Sequence, residues 1–139
     1  MSALRPILIA EDGEDDAFLI TKALEEIQVP NPIRLVRNGA DAITYLEHLG
    51  KGPLSSEIPA LLLLDLRMPA KDGFDVLAWL NQHPALKASL PAVVLSSSLV
   101  AAEVKAACDL GAREFVEKPL AYHKLKEALL SVKEKWLDT

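Results

Sequence analysis

Cysteine is nearly absent. Cys108 stands alone in 139 residues, which excludes an internal disulfide framework and any cysteine-built zinc cluster. Positive charge is scarce too: Lys and Arg total 15 against 20 Asp and Glu, a formal charge of −5. Binding to a phosphate backbone draws on cationic surface that releases counterions, so no nucleic-acid partner is expected. Long apolar runs are missing as well. After Met1–Pro6 comes only the short stretch Ile7–Ala10, cut off by acids, which fits neither a signal peptide nor a membrane span. A cytoplasmic protein with no membrane partner is the expectation. There is no P-loop, no repeat and no low-complexity tract. His48, His83 and His123 are scattered without metal-ligand spacing and belong on solvated surface.

What is present suffices for one core. Apolar residues make up 50% of the chain, too many for a disordered segment, and the length suits one domain spanning 1–139. Five short apolar runs punctuate it: Ile7–Ala10, Ile33–Val36, Leu61–Leu64, Ala92–Leu95 and Glu114–Val116. The first, third and fourth are continuously apolar, as strands covered on both faces are. Between and after them lie helix-period stripes: Ile20-Ala23-Leu24-Ile27, Ala42-Ile43-Leu46-Leu49, Val76-Leu77-Leu80, a weaker Val100-Val104-Ala107, and Leu125-Leu129-Val132-Trp136. Asn38-Gly39 and Asp72-Gly73 read as turns, Gly111 as a helix end, and Lys51–Pro59 as a loop. Alternating strands and helices predict an α/β domain: a parallel sheet with helices on both faces. Cys108, among alanines, is expected to pack inside, and Ser97 or Ser98 to cap the helix that follows.

In an open parallel sheet, ligands bind beyond the carboxyl ends of the strands. The polar residues found there are Glu11 and Asp12 after the first run, Asp65 after the third, Ser96 and Ser97 after the fourth, and Lys118 just past the fifth. If the first and third strands are neighbours, their ends lie about 5 Å apart, and Asp12 and Asp65 crowd each other with Glu11 close by. Crowded carboxylates raise one another's pKa or recruit a cation; hard oxygens open to water suit Mg²⁺. A carboxylate can also attack phosphorus, and a metal ion, the Lys118 ammonium and the Ser96 hydroxyl would then neutralise the phosphoryl oxygens. Glu14, Asp15 and Asp16 are expected as acids of a first helical turn, favoured by the helix dipole, rather than as further ligands.

The ordered set Ile-Ala-Glu11-Asp12, Leu-Leu-Asp65-Leu-Arg-Met-Pro followed by Asp72-Gly73, Val-Val-Leu-Ser96-Ser97 and Phe115-Val-Glu-Lys118-Pro119 resembles the response-regulator receiver domains of two-component signalling, from about Pro6 to Leu137. The resemblance implies a flavodoxin-like strand order, 2-1-3-4-5. It implies phosphoryl transfer to Asp65 from a histidine kinase or phosphotransfer protein. It also implies Mg²⁺ held by Asp12, Asp65 and the Arg67 backbone carbonyl, with Glu11 acting through water. Lys118 and Ser96 serve the phosphoryl group, Phe115 and Ser97 the switch, and Arg67 and Ser98 tune hydrolysis. A cis Lys118–Pro119 bond goes with that pattern. Val29-Pro30-Asn31, the Lys51–Pro59 loop, Ser96-Ser97-Ser98 and Trp136 further resemble stand-alone receivers that partner bacterial phytochromes. The expected protein is a phosphoacceptor switch, with no output domain after Trp136, rather than a turnover enzyme. Its signal would leave through a downstream protein or a homodimer, on the face of the fourth apolar helix, the fifth strand and the last helix, with Leu130 and Leu137 at the edge. A haloacid-dehalogenase phosphatase is disfavoured by Arg67, where that family needs a second Asp. A nucleotide-binding domain is disfavoured by the acidic Glu11–Asp16 loop. A non-phosphorylated pseudo-receiver adaptor is the remaining alternative, and the filled key positions oppose it.

Overall fold

The computed structural model describes residues 4–49, 58–97 and 100–137; Ser98 and most of the Lys51–Pro59 loop lie outside them. Five strands, β1 (Ile7–Ala10), β2 (Ile33–Val36), β3 (Leu61–Leu64), β4 (Ala92–Ser96) and β5 (Glu114–Glu117), form one sheet in the order β2-β1-β3-β4-β5. Every pairing is parallel. The helices are α1 (Glu14–Glu26), α2 (Gly39–Glu47), α3 (Gly73–Asn81), α4 (Pro84–Ser89), α5 (Ala101–Asp109) and α6 (Tyr122–Trp136). The order and the two-sided cover are those the sequence implies. No helix among the described residues is long and apolar enough to cross a membrane.

The strand period of two divides the core into two layers. Leu8, Ala10, Leu62, Leu64, Ala92 and Val94 face a cluster completed by Ala42 and Leu46 of α2, Val76, Leu77 and Leu80 of α3 and Ala107 of α5. Their alternates Ile7, Ile9, Leu61, Leu63, Val93 and Leu95 face Ile20, Ala23 and Leu24 of α1 and Leu125, Leu129 and Val132 of α6. The three central strands are buried along their whole length, whereas the edge strands β2 and β5 are only partly covered. That is why their sequences read as continuous apolar runs and the edge ones as mixtures.

Several local expectations need correction. Asn38 and Asp72, read as turn residues, are N-caps: Asn38 Oδ1 accepts the Asp41 N–H at 2.7 Å, and Asp72 and Asp75 form a reciprocal capping box. An Asx–Gly pair serves either purpose, because a short oxygen-bearing side chain satisfies a free backbone N–H in both. The short helix α4, opened by Pro84 at its first turn, lacks a clear apolar stripe and contributes no buried residue. The cap of α5 is Val100, without a side-chain hydrogen bond, so Ser97 is not the cap. Cys108 is exposed, because α5 buries Ala107 on its inner face instead. Among the described residues no peptide bond is cis, so the expected cis Lys118–Pro119 bond is not found.

The loop after β3 is bolted down from two sides. Gly39 and Ala40, at the start of α2, donate to the Lys71 and Ala70 carbonyls at 2.9 and 2.7 Å. Ala70 and Lys71 themselves have positive φ, 46° and 79°. Gly73 closes the loop against β3: a Cβ there would come within 2.5 Å of the Asp65 carbonyl oxygen and 2.9 Å of Leu66 Cα. Backbone atoms cannot rotate away as a side chain can. Gly73→Ala is therefore expected to destabilise the protein by about 1–3 kcal/mol and to distort the segment carrying Asp65. Urea unfolding measures the first effect; loss of native amide shifts for 65–73 measures the second.

Candidate functional site

In-register pairing of β1 with β3, from Ile7↔Leu61 to Ala10↔Leu64, brings the residues that follow each strand side by side. The Asp65 N–H donates to the Ala10 carbonyl at 3.1 Å, extending the ladder one step past the strand ends. Oxygens of Glu11, Asp12 and Asp65 consequently lie within 4.8 Å of one another. Glu11 is only 2% exposed, Asp65 is half-buried and Asp12 faces water. Glu11 Oε2 also accepts the Gly13 N–H at 3.1 Å.

Lys118 closes the cluster. Its N–H donates to the Ser96 carbonyl at 2.8 Å, so the β4–β5 ladder continues through it. Two residues past Val116, which packs in the α1/α6 layer, its side chain emerges on the α1 side. This alternation, with a trans bond to Pro119, is enough to aim the ammonium at the acids. Nζ donates to Glu11 Oε1 at 2.6 Å and Asp16 Oδ2 at 3.0 Å, and stands 3.8 Å from Asp65 Oδ2.

These contacts set the protonation states. Burial pushes the Glu11 carboxyl up to about 6; hydrogen bonds from Lys118 and the Gly13 N–H oppose that rise, and the Asp65 charge adds to it. For Lys118 burial works against the charge. The Glu11 hydrogen bond, the Asp65 charge and the Asp16 hydrogen bond outweigh it, so the ammonium is held above its usual range.

The other expected residues fall around this centre. Ser96 ends β4, only 1% exposed, between the strands carrying Asp65 and Lys118. Its cross-strand partner is Glu117. Phe115, two residues earlier on β5 and thus on the same side as Ser96, is half-buried against the α2/α3/α5 layer. Ser97 is exposed, and Ser98 lies outside the described residues. Arg67 donates its N–H to Asp65 Oδ1 at 3.3 Å, while its guanidinium reaches Glu103 of α5 at 2.7 Å.

Sequence reasoning missed Asp16 and Glu103. Asp16 lies with Glu14 and Asp15 in the first turn of α1, where the sequence places all three acids. Nothing in composition says which of three consecutive acids points back at Lys118. Glu103 lies 36 positions from Arg67, beyond the reach of any local pattern.

A family model described as "Response regulator receiver domain" matches residues 7–130. The chain belongs to that family. Among curated relatives, the probable methanogenesis regulatory protein FilR2 of Methanothrix harundinacea is 35% identical over 132 residues, covering 94% of this chain and 83% of its own. Response regulator Rcp1 of Synechocystis sp. is 32% identical over 133 residues, covering 96% and 89%. Its Mn²⁺-bound crystal structure superposes with a TM-score of 0.82, covering 97% of this chain and 96% of that one. The phosphorylated cyanobacterial phytochrome response regulator RcpA gives a TM-score of 0.85 at 35% identity, covering 98% and 96%. As a receiver, the chain is a phosphoacceptor switch of two-component signalling. Receivers bind a divalent cation, and the carboxylate trio offers what one needs: hard oxygens, close together, more negative than Lys118 offsets, and open to water at Asp12.

A carboxyl whose pKa is higher folded than unfolded stabilises the fold below its unfolded value, and that contribution is lost as pH rises through the folded value. For Glu11 the window runs from 4.5 to about 6. Removing Lys118 takes away the cation that holds Glu11 ionised, so its pKa rises further. Lys118→Ala is expected to cost about 3–5 kcal/mol in the metal-free protein above that window and distinctly less near pH 5, where Glu11 is protonated. Urea unfolding at pH 5 and pH 8 checks it; equal losses at both would contradict the pairing.

Proposed function

We propose that Asp65 is the phosphoacceptor of this receiver, and that its phosphoryl group comes from a histidine kinase or a phosphotransfer protein. The observation that carries this reading is the Lys118 ammonium, 3.8 Å from Asp65 Oδ2 and bonded to Glu11: a nucleophilic carboxylate with a fixed cation beside the place where phosphoryl charge would gather. An Asp65 oxygen attacks phosphorus in line, an O–P bond forms as the phosphohistidine P–N bond breaks, and the imidazole leaves, taking its proton from solvent. Lys118 pairs with the phosphoryl oxygens, and the buried Ser96 hydroxyl turns toward them. Mg²⁺ is the proposed physiological cation, held by Asp12, Asp65, the Arg67 carbonyl and, through water, Glu11; when bound it neutralises charge on the transferring group. Hydrolysis of the aspartyl phosphate is slow and tuned from Arg67 and Ser98, so the protein acts as a timed switch.

The resemblance to RcpA, a cyanobacterial phytochrome response regulator, favours a phytochrome-type kinase as the phosphoryl source, and the proposed site of action is the cytoplasm. The response involves Ser96, Ser97 and Phe115. Phe115 carries no hydroxyl, so its ring can turn inward without burying an unsatisfied polar group. The signal then leaves on the α5–β5–α6 face, toward a downstream protein or a second copy, with Leu130, which is 40% exposed, at its edge. Leu137, the other proposed edge residue, packs partly against the α1/α6 layer. A dehalogenase-type phosphatase is not favoured: two residues past Asp65, where it needs a proton donor, stands Arg67, already engaged with Glu103.

Asp65→Asn keeps size and shape but removes the nucleophile. It is expected to abolish Mg²⁺-dependent labelling by radiolabelled acetyl phosphate, while Asp12→Asn weakens Mg²⁺ binding in a titration. Full labelling of Asp65→Asn would refute the assignment. For the output face, beryllofluoride with Mg²⁺ is expected to alter amide exchange in 100–110 and 114–130. Changes confined to residues around Glu11, Asp65 and Lys118 would rule that route out.

A further inference from the structure

Arg67 faces two ways. Its backbone N–H reaches Asp65 Oδ1 at 3.3 Å, while a single guanidinium nitrogen, Nη2, lies 2.7 Å from both carboxylate oxygens of Glu103. The side chain of Arg67 is 71% exposed and that of Glu103 only 17%. A pair made through one nitrogen, with the cation in water, lacks the two-pronged geometry of the strong guanidinium–carboxylate contact and is screened by solvent. Glu103 also sits in the first turn of α5, where the helix dipole favours a carboxylate whether or not an arginine is near. The contact therefore costs little to open from either side.

We infer that Glu103 is a positioning residue for the phosphoacceptor reaction: it holds the Arg67 guanidinium on α5 while Asp65 is unmodified and yields it to the phosphoryl oxygens once they are in place. The inference rests on the reading of Asp65 as acceptor. A phosphoryl group on Asp65 places extra negative charge and three acceptor oxygens two residues from an arginine whose planar fork suits them. The exchange breaks one ion pair and makes a stronger one, with no other group consumed. It also unties the first turn of α5 from the loop after β3, so modification at the end of β3 loosens the helix that follows the neighbouring strand β4.

Linkage makes this measurable. If the bound group is favoured by Arg67 leaving Glu103, then removing the Glu103 charge must tighten binding of the group by the strength of the pair that no longer competes. The probe is beryllofluoride with Mg²⁺, titrated by NMR into wild type, Glu103→Gln, Arg67→Ala and the double variant; Arg67→Ala leaves the backbone carbonyl of residue 67 in place. Glu103→Gln is expected to bind the probe about two- to fivefold more tightly than wild type, the range of a partly exposed pair. In the Arg67→Ala background the same substitution should have no effect. First-turn amides of α5 should exchange faster in probe-free Glu103→Gln than in wild type, with little further change when the probe is added. Unchanged probe affinity in Glu103→Gln overturns the inference, and so does an equal gain with and without Arg67. Asp65→Asn separates the two levels: if wild type binds the probe and Asp65→Asn does not, the acceptor reading stands whatever Glu103 does. If Asp65→Asn binds as well as wild type, or wild type does not bind, the acceptor reading fails and the role of Glu103 fails with it.

Discussion

The Lys118 ammonium is what lets Glu11, Asp16 and Asp65 share one end of the sheet. It donates to two of these carboxylates and lies 3.8 Å from the third, and without it a buried glutamate would sit unpaired beside an aspartate. The charges are left out of balance: oxygens of Asp12, Asp65 and Glu11 lie within 4.8 Å of one another, and one ammonium does not balance them. The pocket is therefore poised for a further cation, and the Glu11 carboxyl, raised to about 6 by burial and by the neighbouring Asp65 charge, shows the cost of crowding these acids in the metal-free protein. Lys118 can do this only because the β4–β5 ladder continues into it and alternation turns its side chain toward α1.

Much of this was legible in the chain because the central strands are buried on both faces. A strand with no polar residue inside it must place its first polar residues at its end, so Glu11, Asp12, Asp65 and Ser96 announced the site by being where apolar runs stop; Lys118 follows an edge strand that begins and ends in glutamate, and joined them only by standing just past it. Parallel connectivity then left one neighbourhood for them. Two kinds of feature were not legible. Asn38 and Asp72 carry the same turn chemistry whether a helix follows at once or not, and α4 has no buried stripe to betray it. Asp16 and Glu103 depend on how a helix is rotated about its axis, and on side-chain reach across 102 and 36 positions of sequence; neither leaves a local pattern. Cys108 shows the same limit in reverse, since a helix with a single buried position, Ala107, gives too weak a periodicity to tell inside from outside.

The division of the core into two layers also assigns the site's groups to different neighbours. Lys118 and Asp16 belong to the α1/α6 side, where the acids are neutralised. Ser96 and Phe115 belong to the other side, beneath α5. A change of charge at Asp65, which lies between them, is thus felt by one layer as an ion-pair problem and by the other as a packing problem.

The two banks of the cleft differ in stiffness. On the α2 side, the loop after β3 is held by backbone hydrogen bonds from Gly39 and Ala40, across an approach so close that a Cβ at Gly39 would fall 2.3 Å from the Lys71 carbonyl oxygen. Ala70 and Lys71 hold left-handed conformations there, at a cost of about 1–2 kcal/mol each, which a loop keeps only where its surroundings over-determine it. On the α5 side, an ion pair whose arginine lies in water does the holding. A load applied at Asp65 will deform the softer support, so the direction in which this molecule can yield is decided by the rigidity of the α2 side before any partner is present.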